Sequence, residues 1–152
     1  MGDYLRLRFK DDKDGTGLLM ARAEADGFSG TSEAYFNVEE LEEFAKAIKL
    51  FPLPPEDARR SISGGFGSAK DVQLEQEHLG ISVYLADASR GYVGIQVRMA
   101  TKVWPDTRPE SKKQAVVEIL ATYEPLARFS RDLLLVIHGS LKEAAIEGES
   151  QS

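Results

Sequence analysis

The chain has 152 residues, of which 42% are hydrophobic, so it is long and apolar enough to bury the core of one domain. It carries 25 acidic and 19 basic side chains, and the net charge of −6 argues against non-specific binding to nucleic acid. The absence of cysteine excludes disulfides and thiolate chemistry. Because there is neither a leader pattern nor an apolar run of about 20 residues, we expect a cytoplasmic domain that does not enter a membrane.

The first third of the sequence predicts three strands followed by a helix. Residues 4–10 alternate strictly between apolar and basic side chains, as in a strand with one buried face. Residues 16–26 and 31–36 predict two more strands, and the short links between the three favour an antiparallel meander. Asn37 is the expected N-cap of the helix, with Glu40 in the capping-box position.

The remainder of the sequence predicts more strands and a second helix. A short strand at 59–63 leads into a Gly- and Ser-rich segment, 61–68, which we expect to be a mobile loop. Further strands are expected at residues 72–78, 81–87, 91–104 and 114–123, and a helix is expected from Pro125 with an apolar stripe reaching Leu141. The predicted fold is α+β, with an antiparallel sheet of about six to eight strands and both helices on one face. The order is βββα-ββββ(β)-α in a single domain, 1–146, followed by a frayed polar tail, 147–152.

The sequence contains only weak matches to chemical motifs. Residues 64–70 are rich in glycine but lack the Gly-Lys-Ser/Thr order of a phosphate loop. Residues 12–15 resemble part of a calcium loop, but Lys10 and Ala21 occupy its first and twelfth ligand positions. Residues 75–78 form a single Glu-x-x-His on an expected strand, whereas di-iron sites use two copies on helices. His138 has no acidic neighbour in the sequence. We therefore assign no catalytic, cofactor or metal residue and expect a protein that is not an enzyme.

The negative charge is concentrated in one segment, because residues 33–57 carry seven acids and two bases. Glu39, Glu42 and Glu43 lie on the polar face of the first helix. One interpretation is a solvated face on which Glu42 pairs with Lys46. The other is a docking surface for a basic protein, which would attract that protein electrostatically.

A second candidate surface is the proline-flanked loop after the long strand, within residues 98–113, which carry five bases and two acids. Trp104 ends the expected strand and Arg108 lies in this loop, and both residue types are enriched at the centres of protein interfaces. The alternative is that Trp104 closes the core.

A family resemblance covers about residues 16–55. Gly27-Phe28-Ser29-Gly30, then Ala34-Tyr35-Phe36, the acidic helix 38–45 and Phe51-Pro52 resemble small bacterial α+β proteins, some of which are similar to WapI-type immunity proteins of polymorphic toxin systems. These motifs are structural, so no functional residue is carried over. The resemblance implies a non-enzymatic role in neutralising a toxin.

These observations lead to three hypotheses. The first is a small binding protein, of immunity type, that masks the surface of a protein partner. The second is a ligand-binding protein or enzyme that uses a cavity between the sheet and the helices. The third is a domain that forms homo-oligomers through a sheet edge or the Trp104 region.

Overall fold

A computed structural model describes residues 2–67 and 74–149 of the chain. The described residues form eight strands and two α-helices, with antiparallel pairing between neighbouring strands, so the α+β class is confirmed. The elements in chain order are β1 (Tyr4–Asp11), β2 (Thr16–Ala25), β3 (Phe28–Asn37), α1 (Val38–Ala47), β4 (Arg60–Gly67), β5 (Leu74–Asp87), β6 (Tyr92–Ala100), β7 (Gln114–Ala121), α2 (Tyr123–Ile137) and β8 (Ala144–Glu147). Single 3-10 turns lie at Glu56–Ala58 and Pro109–Ser111.

The strands form two sheets of four, where the sequence predicts one larger sheet. Sheet A has the order β3-β2-β1-β8, and sheet B has the order β4-β5-β6-β7. The physical reason is that most strands are apolar on one side only. Two such sheets can bury their apolar faces against each other, whereas a single sheet of eight strands would need helices to cover that whole face.

The core lies between the inner faces of the two sheets. β3 contacts all four strands of sheet B, so it runs across that sheet. A Cβ on Gly64 would meet the side chains of Ala34 and Phe36, so glycine is what allows β4 to approach β3 closely. The inner face of sheet A contributes Leu5, Leu7, Leu19 and Phe36, and that of sheet B contributes Leu79, Ile81, Ile95, Val97 and Ile119.

The two helices connect the two sheets. α1 contacts β3 and β4, α2 contacts β1 and β8, and the helices pack against each other. The hydroxyl of buried Ser130 donates to the carbonyl of Ala45, which ties α2 to α1. The helices therefore touch both sheets, whereas the sequence places them on one face of a single sheet.

Asn37 occupies the N-cap position of α1 as predicted, but the predicted capping hydrogen bond is wrong. Asn37 precedes the helix, but its side chain makes no capping hydrogen bond. Instead the amide of Val38 donates to the carbonyl of Gly15 across 2.9 Å. The turn between β1 and β2 thus satisfies one of the free amides at the start of the helix.

Sheet B differs from the sequence prediction in three places. Residues 60–67 form β4, which overlaps the short strand expected at 59–63. The mobile loop expected at 61–68 is therefore wrong for residues 61–67, while residues 68–73 lie outside the described ones. The two strands expected around residue 80 are one strand, β5, which keeps its pairing through a bulge opposite Gly64 and Gly65. β6 ends at Ala100 rather than at Trp104.

The C-terminal elements also differ from the sequence prediction. α2 ends at Ile137, because Gly139 takes a φ of +81° and directs the chain away from the helix before Leu141. β8, which was not predicted, then pairs with β1. Glu147 belongs to this strand, and the amides of Gly148 and Glu149 donate to the carbonyls of Asp3 and Leu120. The polar tail expected from residue 147 is therefore ordered as far as residue 149, and residues 150–152 lie outside the description.

Candidate functional site

The predicted acidic surface lies on α1 and is partly occupied by a contact within the chain. Glu39 and Glu43 are exposed. Glu42 is half-buried, and its carboxylate lies 3.3 Å from the Nε2 atom of His138 at the end of α2. This contact takes the place of the expected pair between Glu42 and Lys46. It also gives His138 an acidic partner that is distant in sequence.

Charge repulsion is evident on the same helix. Burial, followed by the nearby charge of Glu43, raises the pKa of the Glu40 carboxyl above its ordinary value. Across residues 2–67 and 74–149, neither Glu39 nor Glu43 forms an ion pair with a basic side chain. The acidic face of α1 thus holds negative charge that the described part of the chain does not neutralise by direct pairing.

Trp104 and Arg108 lie in a separate loop, between β6 and β7. The Trp104 side chain is 55% exposed, so it does not close the core. Its backbone amide donates to the Thr107 hydroxyl across 2.7 Å, and Arg108 lies 3.8 Å from Glu110. The loop is anchored to sheet B where Gln76 exchanges two hydrogen bonds with the backbone of Val103. The structure therefore places the two predicted surfaces on different elements and does not combine them into one site.

The weaker motifs of the sequence lie on strands and turns. Gly64 and Gly65 belong to β4, and the rest of the glycine-rich motif beyond Gly67 lies outside the described residues. The backbones of residues 75 and 78 belong to β5, and the side chain of Glu75 also lies outside the description. Asp14 accepts hydrogen bonds from Thr16 within the β1–β2 turn. No group of three or more metal-binding side chains is found among the residues that the structure describes.

A groove that no sequence pattern indicates runs between sheet A and the edge of sheet B, because residues of β1, β2 and β3 line it together with residues of β5, the end of β6 and the segment that follows. It has a volume of about 660 Å³. Four basic side chains and two acidic ones line it, and we call it the arginine groove. Its charged lining residues are Arg6, Arg8, Arg22, Lys102, Glu33 and Glu143, and its other lining residues include Met20, Thr31, Ser32, His78, Ala100 and Thr101.

Tyr4 contacts two arginines of this groove. Arg6 on β1 and Arg22 on β2 are directly opposite each other in the strand register. The guanidinium carbon of Arg6 lies 4.5 Å from the centre of the Tyr4 ring, and the Nε atom of Arg22 donates to the Tyr4 hydroxyl across 2.9 Å. Like charges placed opposite each other on adjacent strands destabilise a sheet, and here one aromatic side chain contacts both.

His78 contributes to another wall of the groove. It is buried at the bulge of β5, and its Nε2 atom lies 3.0 Å from the side-chain oxygen of Gln76. The carbonyl of His78 accepts a hydrogen bond from Ser32 on β3, which joins the sheets at this point. Burial, followed by the charge of Lys102, lowers the pKa of His78 below its ordinary value, so the neutral imidazole is favoured.

The outer face of sheet B carries a different arrangement, which we call the sheet B network. The Arg98 guanidinium donates to both carboxylate oxygens of Glu77 at 2.8 and 3.1 Å, and also to Ser82 and Gln96. The Ser63 hydroxyl donates to the same carboxylate. Burial of Glu77 acts to raise its pKa, but the bonds from Arg98 and Ser63 outweigh burial, so the pKa is lowered.

Tyr84 completes the sheet B network. Its ring is buried beneath Arg59, whose guanidinium carbon lies 4.4 Å from the ring centre, and its hydroxyl donates to Glu118. Burial, and then the bond to Glu118, raises the pKa of the phenol. A Cβ on Gly94 would meet this ring, and one on Gly80 would meet Arg98 and Glu77, so glycine lets both groups lie flat on the sheet.

Part of the arginine groove could be predicted from the sequence. The alternation in β1 places Arg6 and Arg8 on the face opposite Leu5 and Leu7, as predicted. The arrival of Glu143 and Lys102 beside these arginines depends on pairing between distant segments, for which the sequence carries no local signal.

Comparison with protein-family models, with curated proteins and with solved structures found no match for this chain. Within the described residues, neither helix is long and apolar enough to span a membrane.

Proposed function

We propose that the chain is a non-enzymatic binding protein that covers the surface of a basic protein partner, with inhibition of a toxin as its role. The resemblance of residues 16–55 to immunity proteins suggests the role, and the acidic face of α1 supports the mode of binding. The supporting observation is that Glu39 and Glu43 lie one helical turn apart, both exposed and without an ion pair among the described residues.

The energetics of α1 favour this proposal. Glutamates at positions i and i+4 repel each other, so this face lowers helix stability by a few tenths of a kcal/mol. A basic partner would relieve that repulsion and would be attracted from a distance, which raises the association rate at low ionic strength. His138 holds Glu42 beside the same face, and thereby fixes one carboxylate of the surface in place.

The test compares two double variants that remove the same charge. Glu39→Gln with Glu43→Gln changes the proposed surface, and Asp57→Asn with Glu124→Gln is the control, because both control residues are exposed and lie outside α1. The partner is first recovered by affinity purification from the cells that encode the chain. Its association rate constant is then measured at several salt concentrations.

We expect the α1 variant to associate several times more slowly at low salt and to show a weaker salt dependence, while the control behaves as wild type. If the partner is an enzyme, titration with the chain should abolish its activity at one equivalent. Equal effects of the two double variants would show that total charge matters rather than this surface. Unchanged binding by both would disprove the role of α1.

A further inference from the structure

We infer that the arginine groove is a binding site for a small molecule that carries a phosphate monoester. Residues of sheet A, of β5, of the end of β6 and of the segment after it line the groove, and none of α1 does, so this inference is independent of the partner proposed above. The charge, the preorganised arginines and the size of the groove all suit such a ligand.

The charge of the groove matches a dianion. Arg6 and Arg22 place two guanidinium groups beside one tyrosine. In the described part of the chain Arg22 has no ion pair, and the nearest carboxylate oxygen to Arg6, from Glu143, is 4.0 Å away. A phosphate monoester carries a charge of about −1.5 to −2 at neutral pH, so it can balance both guanidiniums, whereas one carboxylate balances one.

The two arginines are held before any ligand arrives. Stacking on Tyr4 restricts Arg6, and the hydrogen bond to the Tyr4 hydroxyl restricts Arg22 while leaving its two terminal nitrogens for other acceptors. Fixing long side chains in advance reduces the entropy lost on binding. Guanidinium groups also donate paired hydrogen bonds that match phosphate oxygens.

The contact of Glu143 shows that an arginine of the arginine groove can bind an anionic group. Its carboxylate takes a hydrogen bond from the Nε atom of Arg8 at 2.9 Å. This carboxylate lies in the groove and repels any incoming phosphate, so it acts as an internal competitor. Removing its charge should therefore strengthen binding, which is a result that a purely structural role for the arginines does not predict.

The size and lining of the groove favour a small organic phosphate. A volume of about 660 Å³ lies within the usual range of small-molecule sites. Met20 and Ala100 add apolar surface beside the charged groups, which suits the organic part of a phosphate ester. Thr31 adds a hydroxyl group that can bond to a sugar.

The experiment is calorimetric titration of the whole chain with adenosine monophosphate and ribose 5-phosphate, using adenosine as the uncharged control. Binding of either phosphate, with no heat from adenosine, is the expected result. We expect Arg22→Gln to weaken binding about tenfold or more, since it removes a charge-assisted hydrogen bond. Arg128→Gln is the matched control, because Arg128 is an exposed arginine on α2 that pairs with Glu124 outside the groove.

Two further variants keep the test decisive if Arg22→Gln fails to fold. Glu143→Gln should bind the phosphate several times more tightly than wild type. Tyr4→Phe keeps the ring beneath Arg6 but loses the acceptor for Arg22, so it should bind several times more weakly. The inference is overturned if neither phosphate binds, if adenosine binds equally well, or if Glu143→Gln weakens binding. Equal losses of binding in Arg22→Gln and Arg128→Gln would also overturn it. The same holds if the chain binds a glutamate-rich peptide or an oligonucleotide but neither monoester.

Discussion

Sheet A and sheet B each present an outer face that carries arginine side chains, but the two faces treat those charges differently. On sheet B, Arg98 and Glu77 form a two-point ion pair, with only 27% and 31% of their side chains exposed, and serines and a glutamine occupy the remaining donors and acceptors. On sheet A, Arg6 and Arg22 face each other, and their closest shared partner is an uncharged tyrosine.

The difference shows that arginines on the outer faces of two antiparallel sheets can have different roles. In sheet B the charges satisfy one another, and the result is a rigid, half-buried layer that stabilises the fold. In the arginine groove four basic side chains meet two acidic ones, and this local excess of positive charge favours binding of an external anion. The predictions that follow test this division between a stabilising face and a binding face.

The largest effect is expected in the sheet B network. Arg98→Ala leaves the half-buried Glu77 carboxylate without its main partner, so we expect the free energy of unfolding to fall by about 2 kcal/mol. Urea denaturation measures this value. A double-mutant cycle with Glu77→Gln should show clear coupling between the two residues, since removing both partners avoids a stranded charge. Additive losses in that cycle would contradict the proposed stabilising role.

An intermediate effect is expected from acid. The pKa of Glu77 is lowered in the folded chain, so at acidic pH the unfolded chain binds more protons at this carboxylate than the folded chain does. The stability that this carboxylate contributes is therefore present above about pH 4.5 and is lost as the pH falls through the lowered pKa. Between pH 6 and pH 3.5, wild type should lose more free energy of unfolding than Glu77→Gln. Identical losses would show that Glu77 does not contribute.

The smallest effect on stability is expected on sheet A. Arg8 is 65% exposed and its pair with Glu143 is open to solvent, so Arg8→Ala should change the free energy of unfolding by no more than about 0.5 kcal/mol. The same denaturation measurement, made beside Arg98→Ala, compares the two faces directly. A loss similar to that of Arg98→Ala would show that both faces are stabilising.

The sequence predicted the parts of the fold that depend on local periodicity. Leu5 and Leu7 fix the buried face of β1, and Leu126, Phe129 and Leu133 fix that of α2. The sequence did not predict features that depend on distant contacts. Gly64 and Gly65 look like loop residues until the close approach of β3 and β5 explains them, and β8 is too short to give a periodic signal.

For the candidate sites too, local periodicity was predictable from the sequence and contacts between distant residues were not. Glu39 and Glu43 were expected at the surface because helix periodicity places them there, and they are exposed. The pair between Glu42 and His138 joins residues 96 positions apart, so no local pattern could indicate it. Similarly, Arg6 and Arg22 are set opposite each other by the β1–β2 hairpin, but Lys102 joins them only because β3 runs across sheet B.

The pairing of β8 with β1 has a consequence for synthesis on the ribosome. Tyr4 is paired with Glu147, so β1 acquires its second neighbour only after residue 147 has been translated. Until then one edge of β1 is open, and its backbone can pair with another nascent chain. We therefore expect sheet B, whose four strands are all neighbours in sequence, to be complete before β8 completes sheet A.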